Sequence, residues 1–597
     1  MAFTHPHFTP NARTILAHRY LRKDEQGQVV ETPQEMFLRV AQVIAAVDRR
    51  YDSHLDVAAQ VAQYHTLMAE QYFLPNSPTL MNAGLPLGQL AACFVLPVED
   101  DLTSIFNAVR DAALIHQSGG GVGYTFSHVR PQSDVVRTTG GVAAGPVSFM
   151  QVFDQATEAI KQGGRRRGAN MGVLRVDHPD ILTFIHAKDQ EGVLTNFNLS
   201  VGITDAFMEA VERDALWPLC HPRTGAVVRT IPAAELMYEM AQAAWHGGDP
   251  GVLFLDLINR QHPIAHVGTI EATNPCGEQP LLSYESCNLG SINLARCVSD
   301  GAVDWPELRR IVRLGVQFLD NVIDANTYPL PQIAAMSTAT RKIGLGVMGW
   351  ADMLIQLGIP YIDPEALTLA EELMRTISHE GRQRSYELGR ERGSFAYFPG
   401  SLWERQGFDA MRNATVTTIA PTGTLSILAG TSSGIEPLFA VAYVRQGLDG
   451  VSLPEVNPYV VQRIQEAGVD RDALLQAIAQ QGSVQHLLEV PASLRRLFVT
   501  ALEMSPSSHV RMQAAFQRHT DNAVSKTVNL PNTATVDEVR EVYRLAYELG
   551  CKGVTVFRDG SRSKQVLYGG KIPSLRRADG TVTAHAEYGG ECKLCSV

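Results

Sequence analysis

The stretch KIGLGVM at positions 342–348 decides the fold class, because it is a short apolar run bounded by polar residues and glycine. Further runs of this kind occur at residues 89–96, 198–204, 251–255, 414–419 and 552–557. Apolar runs of about four to eight residues are typical of buried strands. Because helical stretches separate these runs, the sequence predicts a mixed α/β fold with much parallel sheet.

Three helices are predicted from apolar residues that recur at intervals of three and four. Residues 32–47 open with a capping box at Thr32 and Glu35 and carry one apolar face. Residues 104–116 and 146–161 carry similar apolar faces. For the last two, periodicity alone favours ordinary core helices.

The composition is that of a large, well-packed globular protein. The chain has 597 residues, 45% of them hydrophobic and 19% charged, with a formal net charge of −11. One core rarely exceeds about 250–300 residues, so we expect several domains or one large α/β unit. The acidic balance argues against nucleic acid as a partner. No apolar run reaches the roughly 18 residues of a membrane helix, and the opening residues lack a signal core, so we expect a cytoplasmic protein.

The segment NPCGE at 274–278 is the most informative candidate site. Proline and glycine flank Cys276 and place it on a tight loop. Alternate side chains of an extended loop share one side, so Asn274, Cys276 and Glu278 are expected to converge on one small substrate. A sulfur, a carboxylate and an amide suit redox and proton-transfer chemistry. A buried structural cysteine is an equal alternative, because no histidine accompanies the sulfur.

Other cysteines add to this pattern. Cys93 lies in an apolar run, and Cys287 follows the NPCGE segment. Cys592 and Cys595 form a C-x-x-C pair after residues 568–591, which lack apolar periodicity. A dithiol on a flexible tail can exchange disulfides with a buried pair and then with an outside reductant. Half a zinc site is less favoured because no further ligands have suitable spacing, so we expect no metal bound by protein side chains.

Glycine-rich stretches are candidate anion sites. SGGGVG at 118–123 follows a helix, and PTGTLS at 421–426 follows a predicted strand and is expected to open a helix. Backbone N–H groups at such places suit a diphosphate. QGGRRRG at 162–168 is basic in an acidic protein, which indicates either a solvated charge run or a loop that contacts a nucleotide.

Together these motifs resemble the catalytic chain of ribonucleotide reductases, most closely the adenosylcobalamin-dependent class called class II. The resemblance extends from about residue 3 to residue 564. Its motifs are NSPTLMNAG, GGGVGYTFSHVRP, NPCGE, SCNLGSINL, PTGTLS and GCKGVTVFRDGSR, at 76–84, 119–131, 274–278, 286–294, 421–426 and 550–562. Several independent motifs in one order make chance agreement very unlikely.

The resemblance implies a ten-stranded α/β barrel of two parallel five-stranded halves, with a central finger loop that carries Cys276. It also implies a division into an N-terminal helical region at 1–75, a catalytic barrel at 76–567 and a flexible redox tail at 568–597. Effector and dimer helices are then expected at about 100–170, in a homodimer.

The resemblance also implies roles for individual residues. Cys276 resembles the thiyl-radical cysteine that removes the 3′ hydrogen of the ribonucleotide. Glu278 resembles the carboxylate that takes the 3′-hydroxyl proton, and Asn274 the amide that orients the hydroxyls. Cys93 and Cys287 match the pair that protonates the leaving 2′-hydroxyl and becomes a disulfide.

Further positions follow from the same resemblance. Cys592 and Cys595 resemble the shuttle that restores the redox pair with electrons from a thioredoxin-like reductant. The residues that match substrate-binding positions are Ser77, Ala92, Cys93, Gly121, Asn274, Pro275, Cys276, Gly277, Glu278, Pro421, Thr422, Gly423 and Thr424. The residues that match positions for a deoxynucleotide effector are Asp100, Arg130, Gln162, Gly163 and Arg165.

The sequence favours adenosylcobalamin as the radical source. Relatives that receive a radical from a separate metal-containing subunit use adjacent tyrosines near the C-terminus. Residues 554–557 read VTVF at that place, and no Tyr-Tyr pair occurs in the chain. The glycyl-radical class needs a motif that YGG at 568–570 matches poorly. The implied function is reduction of ribonucleotides, taken as the diphosphates, to deoxyribonucleotides for DNA synthesis; a class I catalytic subunit is the alternative.

Two functions of other classes stay open from the sequence. A thiol-disulfide oxidoreductase that acts on proteins would explain the tail dithiol but would not need Asn274 or Glu278. A nucleotide-binding regulator without catalysis would tolerate the substitution Cys276→Ser.

Overall fold

A large barrel dominates the structure, a computed structural model that describes residues 7–136, 140–161, 168–446, 452–468 and 483–562 and the short strands Leu575–Arg576 and Val582–Thr583. The assigned strands of the barrel are numbered here in chain order. They are β1 Cys93–Leu96, β2 Gly121–Thr125, β3 Asn170–Arg175, β4 Phe197–Ile203, β5 Gly251–Phe254, β6 Ser286–Asn293, β7 Ile343–Met348, β8 Thr527–Leu530 and β9 Gly553–Arg558.

The barrel consists of two parallel halves. In the first half, β1 to β5 pair in parallel in chain order. In the second half, β6 pairs in parallel with β7, and β8 pairs in parallel with β9. An extended segment fills the place between β7 and β8, because Leu345 bridges Thr417 and Ile419 bridges Val524, both in parallel. Each half therefore contains five strand positions.

Two antiparallel seams close the barrel. Cys93 of β1 pairs with Cys287 of β6, and Val252 of β5 pairs with Val554 of β9. Because the halves meet at both edges, the sheet returns to its starting strand. The predicted ten-stranded α/β barrel of two parallel halves is confirmed.

Helices and short hairpins surround this wall. The helices before β5 are Pro10–Ile15, Pro33–Ala46, Val57–Ala69, Ser77–Asn82, Leu102–Gln117, Pro146–Lys161, Ile181–Ile185, Asp205–Glu212 and Ala233–Gly247. The later helices are Leu255–Arg260, Trp305–Ala325, Pro331–Thr340, Trp350–Leu357, Pro364–Arg392, Leu402–Arg405, Gly423–Ala429, Pro458–Glu466, Ala492–Leu497, Pro506–Gln517 and Val536–Glu548. The paired short strands include Leu216–Cys220 with Val227–Pro232 and Ala272–Thr273 with Pro280–Leu281. None of the described helices is long and apolar enough to cross a membrane.

Successive side chains along a strand belong alternately to two hydrophobic clusters, one outside and one inside the barrel wall. Phe94 and Leu96 of β1 pack with the helices outside the first half. Cys93 and Val95 instead belong to a cluster that includes Ala272 and other residues near the barrel interior. This alternation follows from the two-residue period of a strand, and it directs the Cys93 side chain toward the interior.

The helix predictions are confirmed, with one shifted boundary. The capping box of Thr32 and Glu35 precedes helix Pro33–Ala46. The helix predicted at 104–116 begins at Leu102, earlier than expected, because the Asp101 side chain accepts a hydrogen bond from Ser104 N and caps it.

The strand predictions are less complete. The run 89–96 forms a strand only over Cys93–Leu96, and the run 414–419 forms isolated bridges. The strands β2, β3, β6 and β8 were not predicted, because glycine, asparagine and serine interrupt their apolar pattern. The structure explains one of these glycines: a Cβ at Gly123 would lie 1.8 Å from the carbonyl oxygen of Thr273. A strand this close to another backbone has no space for a side chain.

We expect Gly123→Ala to destabilise the barrel by about 3 kcal/mol, because the wall and the inner hairpin must separate to admit the methyl group. Gly247→Ala is the matched control, since nothing lies within 4 Å of a Cβ there and it ends a helix. That change should alter stability by no more than about 1 kcal/mol. Urea unfolding followed by circular dichroism measures both, and equal stability of the two variants would contradict the close approach.

Candidate active site

The NPCGE segment forms the tip of a hairpin inside the barrel. The flanking strands Ala272–Thr273 and Pro280–Leu281 pair in antiparallel fashion. Asn274 N donates to Gln279 O at 3.2 Å, and Gly277 N donates to Asn274 O at 3.0 Å. Gly277 adopts a φ of 82°, which glycine accommodates without strain. Cys276 therefore lies on a tight turn, as predicted.

Both halves of the barrel hold this finger loop. Asn198 Nδ2, on β4, donates to Pro275 O at 2.8 Å. Thr418 Oγ1, on the extended segment of the second half, donates to Glu278 O at 2.9 Å. Ala523 N donates to the same oxygen at 2.9 Å. The predicted central finger loop is confirmed, and its backbone is fixed by groups far apart in the chain.

Three predicted site residues are in contact beside the loop. Asn274 Nδ2 donates to Cys93 Sγ at 3.0 Å. Cys93 Sγ lies 3.8 Å from Glu278 Oε1. Gln279 N donates to Asn274 Oδ1 at 3.0 Å, which orients the amide so that its NH₂ group points to the sulfur. All three side chains are buried, so an amide, a thiol and a carboxylate face one another in a dry interior.

Cys287 completes this group from the antiparallel seam. It is the register partner of Cys93, and both are buried free thiols. Cross-strand Cβ atoms lie about 4.5–5.5 Å apart, and a disulfide needs about 3.5–4.5 Å, so a small movement would join them. Burial raises the pKa of Cys287 well above its ordinary value, so this thiol keeps its proton at neutral pH.

Cys276 borders a cavity at the tip of the loop. The cavity is also lined by Pro275, Gly277 and residues of β4, β5, β8 and β9. Cys93 and Cys287 are not among the residues along its described wall, so it reaches Cys276 from another side. Cys276 is part of a disulfide, whereas Cys93, Cys220, Cys287, Cys297 and Cys551 are free thiols.

The residues predicted to bind substrate have mixed surroundings. Ala92 N donates to Cys287 O at 3.2 Å and Gly121 N donates to Ala92 O at 2.9 Å, which places both beside the redox pair. Ser77 begins a helix and shares a 2.7 Å hydrogen bond with Tyr20 Oη. Pro421 and Thr422 precede helix Gly423–Ala429, which contains Gly423 and Thr424 and confirms the expected helix start. Contact of these residues with a substrate stays a prediction.

The expectation of an anion site at 118–123 is wrong. Gly119 N donates to His116 O and Gly120 N donates to Ile115 O, which ends helix Leu102–Gln117. Gly121 N already donates within the sheet. The stretch is a helix C-terminus followed by β2, so these donors bind protein oxygens.

The predicted effector residues are only partly described. Asp100 and Arg130 form an ion pair, with Arg130 Nε 2.9 Å from Asp100 Oδ1. Gln162, Gly163 and Arg165 lie outside the described residues, as do Cys592 and Cys595.

Two charged contacts of His128 connect Glu99, which is next to the predicted effector residue Asp100, with the base of the finger loop. His128 Nδ1 lies 3.1 Å from Glu99 Oε2, and His128 Nε2 lies 3.0 Å from Glu271 Oε2. Glu271 directly precedes the hairpin strand Ala272–Thr273. Its hydrogen bond is the main cause that raises the pKa of His128 to about 9.

Sequence reasoning missed several residues that support the site. Asn198 and Thr418 hold the loop, and Gln279 orients Asn274. Lys342 Nζ lies 2.6 Å from Glu285 Oε2 in an ion pair that is buried next to Cys287. Only Asn198 and Thr418 could have been found from the sequence, because each is a polar residue inside a run predicted to be a buried strand.

Comparison with known proteins identifies the family. The family description "Ribonucleotide reductase, barrel domain" matches residues 91–557, and "Ribonucleotide reductase, all-alpha domain" matches residues 7–88. The chain belongs to the ribonucleotide reductase family.

Among curated proteins, it is 51% identical over 583 residues to the vitamin B12-dependent ribonucleoside-diphosphate reductase of Mycobacterium tuberculosis strain H37Rv, covering 97% of this chain and 81% of that one. It is 46% identical to the protein of that name from Thermoplasma acidophilum, covering 94% and 80%. The solved class Id ribonucleotide reductase alpha subunit of Actinobacillus ureae has the same fold, with a TM-score of 0.77 at 22% identity over 93% of this chain and 99% of that one.

We expect the His128 bridge to make stability depend on pH. The pKa of His128 in the folded protein is about 9, above its ordinary value of 6.5. The contribution of protonated His128 to the free energy of unfolding is therefore complete below about pH 6.5, and it is lost as the pH rises through about 9. Urea unfolding of the wild type and His128→Gln should differ at pH 6.5 and converge toward pH 10. A difference that stays constant over this range would contradict the bridge.

Proposed function

We propose that this chain reduces ribonucleoside diphosphates to 2′-deoxyribonucleoside diphosphates by a thiyl-radical mechanism that depends on adenosylcobalamin. The observation that carries the proposal is the convergence of Asn274, Glu278, Cys93 and Cys287 beside the loop that presents Cys276. The substrate and cofactor follow from relatives at 51% and 46% identity, whose names state both. A class I subunit that needs a separate metal-radical protein is less well supported.

In this proposal Cys276 removes the 3′ hydrogen atom of the ribose. Its position at a loop tip, fixed from both barrel halves, brings the sulfur to a bound substrate with little freedom to react elsewhere. The chemistry requires Cys276 as a thiol before the radical forms. The disulfide in which it is found must therefore be reduced before turnover.

The neighbouring groups perform the remaining steps. Glu278 accepts the proton of the 3′-hydroxyl, and Asn274 orients the hydroxyls by hydrogen bonding. Cys93 and Cys287 together supply two hydrogen atoms: the 2′-hydroxyl leaves as water, a C–H bond replaces the C–O bond, and the two sulfurs become a disulfide. The raised pKa of Cys287 suits this task, because a proton donor must keep its proton until the hydroxyl leaves.

The cavity at Cys276 fits the cofactor. Adenosylcobalamin, when bound, supplies the organic radical that removes the hydrogen atom of the Cys276 thiol. Two glycines leave open space along the wall, because a Cβ at Gly247 or Gly277 would have nothing within 4 Å. Charged side chains that would hold the group lie at Lys188 and Arg562, which both contact Asp249. None of the described residues along this cavity is a tyrosine, which supports a radical generated within the cavity.

We expect Cys276→Ser to abolish deoxynucleotide formation while nucleotide binding persists, because a serine O–H bond is too strong to yield the hydrogen-abstracting radical. Cys297→Ser is the control: Cys297 is a buried free thiol in a hydrophobic cluster other than that of Cys93 and Cys287. Reduction of CDP is measured with adenosylcobalamin and without any second protein. Multiple turnover by Cys276→Ser, or wild-type turnover without the cofactor, would contradict the proposal.

The redox tail is part of the proposal. Cys592 and Cys595 pass electrons from a thioredoxin-like protein to the Cys93–Cys287 disulfide, which lies too deep for a protein reductant to reach.

Effector control and a homodimer are further parts of the proposal. Asp100 lies just before helix Leu102–Gln117, and its ion-pair partner Arg130 lies after that helix. Together with residues 162–168, these two residues would bind a deoxynucleotide effector. This helix exposes apolar side chains, with Leu102 63%, Phe106 52% and Leu114 41% exposed. Exposed apolar residues on one helix support burial against a second copy of the chain.

We also propose a cytoplasmic location and the division at residues 1–75, 76–567 and 568–597. The acidic composition and the absence of long apolar runs in the sequence support the location. The family matches over 7–88 and 91–557 support separate helical and barrel regions.

We expect Phe106→Glu to yield a monomer, because a charge in the apolar contact must lose its water. Leu488→Glu is the control, since Leu488 is 84% exposed in another part of the chain. Sedimentation velocity distinguishes monomer from dimer. A dimer in Phe106→Glu, or a monomer in Leu488→Glu, would place the interface elsewhere.

A further inference from the structure

A small cavity lies at the base of the finger-loop hairpin, apart from the cavity that Cys276 borders. Its wall includes Pro280 of the hairpin, His262, and the two lysines Lys342 and Lys552, which directly precede β7 and β9. The described wall contains no residue of the NPCGE segment. The centre of a water-sized ligand can occupy about 10 Å³ here, so the cavity has room for a single ligand of that size.

His262 brings an unused hydrogen-bond donor to this cavity. The residue is only 3% exposed, and neither ring nitrogen has a hydrogen-bond partner among the described residues. Burial and, to a lesser extent, the charges of Lys342 and Lys552 lower the pKa of His262 to about 2. The ring is therefore neutral and has one N–H to donate. Because a buried donor without an acceptor is costly, a ligand that accepts this hydrogen bond is expected.

The ammonium group of Lys552 also has an unused donor. Its Nζ donates to Asp521 O at 2.6 Å and to Asn522 O at 2.8 Å, and it forms no ion pair with a carboxylate in the described part of the chain. A lysine carries three N–H groups, so one is left for another acceptor. Burial lowers the pKa of Lys552 to about 7, against the opposing effect of the Asp521 charge.

The other charged groups around the cavity already have partners. Lys342 Nζ lies 2.6 Å from Glu285 Oε2, and Arg382 Nη2 lies 2.5 Å from Asp521 Oδ1. Asp521 Oδ2 accepts from two backbone N–H groups at 2.8 and 3.2 Å. Together with Lys552, three cations are therefore matched by only two carboxylates within this group. A buried charge requires a partner, so the group lacks one negative charge.

We propose that the cavity is a binding site for one monovalent anion of the size of chloride. The anion accepts hydrogen bonds from the third N–H of Lys552 and from the ring N–H of His262, and its charge balances the group. A water molecule would fit the same space but would leave the positive charge uncompensated. Because the wall comes from the hairpin and from the starts of β7 and β9, the bound ion joins these elements.

Crystals of the full-length protein test the site directly. They are grown without halide and soaked in sodium bromide, because bromide replaces chloride and is located by its anomalous scattering at the bromine edge. We expect an anomalous peak in the cavity, in contact with Lys552 Nζ and the ring of His262. A cavity that holds only water, while bromide is visible elsewhere in the same crystal, overturns the proposal.

Thermal unfolding of the full-length protein tests binding in solution. Gluconate is too large for the cavity, so its replacement by chloride at constant ionic strength should raise the unfolding midpoint of the wild type by about 1–2 °C. Lys552→Met removes the unpaired charge and should abolish this shift. Lys23→Met is the matched control and should retain the shift, since Lys23 also donates to a backbone oxygen, that of His18 at 3.0 Å, but does not line the cavity.

A second variant covers the case in which Lys552→Met does not fold. His262→Leu removes the other donor and should also lose the chloride-dependent shift. A shift that persists in either variant overturns the proposal. Bromide in the crystal without a chloride-dependent shift of the wild type would mean binding at crystal concentration only, and it would overturn the proposal as well.

Discussion

The antiparallel pairing of β1 with β6 is the constraint on which the rest of the site depends. It joins the two parallel halves of the barrel and at the same time sets Cys93 opposite Cys287. The finger loop can then enter between the halves, where β4 and the segment around Thr418 hold its carbonyl oxygens. Without this seam, nothing would hold the two thiols close to each other and to the Asn274 amide and the Glu278 carboxylate.

The fold was predictable from the sequence only in part. Apolar periodicity gave the helices and the α/β class, since these depend on local spacing. The number of strands and the barrel closure came from the resemblance to a family. Strands such as β2 escaped prediction because their residues are selected by contact with the finger loop: Gly123 faces the Thr273 carbonyl, a neighbour that local sequence does not reveal.

The candidate site shows the same limit. The spacing of two residues between Asn274, Cys276 and Glu278 is enough to recognise them as a group from the sequence. Lys342 and Glu285 stand 57 residues apart in the chain and meet only because β6 and β7 are neighbours. Neither residue lies in a motif whose chemistry is evident from its neighbours. The anion site expected at 118–123 failed for a related reason, because its N–H groups are used by the helix end and the sheet.

The two seams also govern how the chain acquires its structure. Each seam pairs segments that are far apart in sequence, and such pairings form late because long loops must close first. Each half can propagate from strand to neighbouring strand, but the cysteines meet only when the wall has become a ring. A nascent or partly folded chain therefore carries its thiols dispersed, and it assembles an oxidisable pair only in a barrel that is already complete.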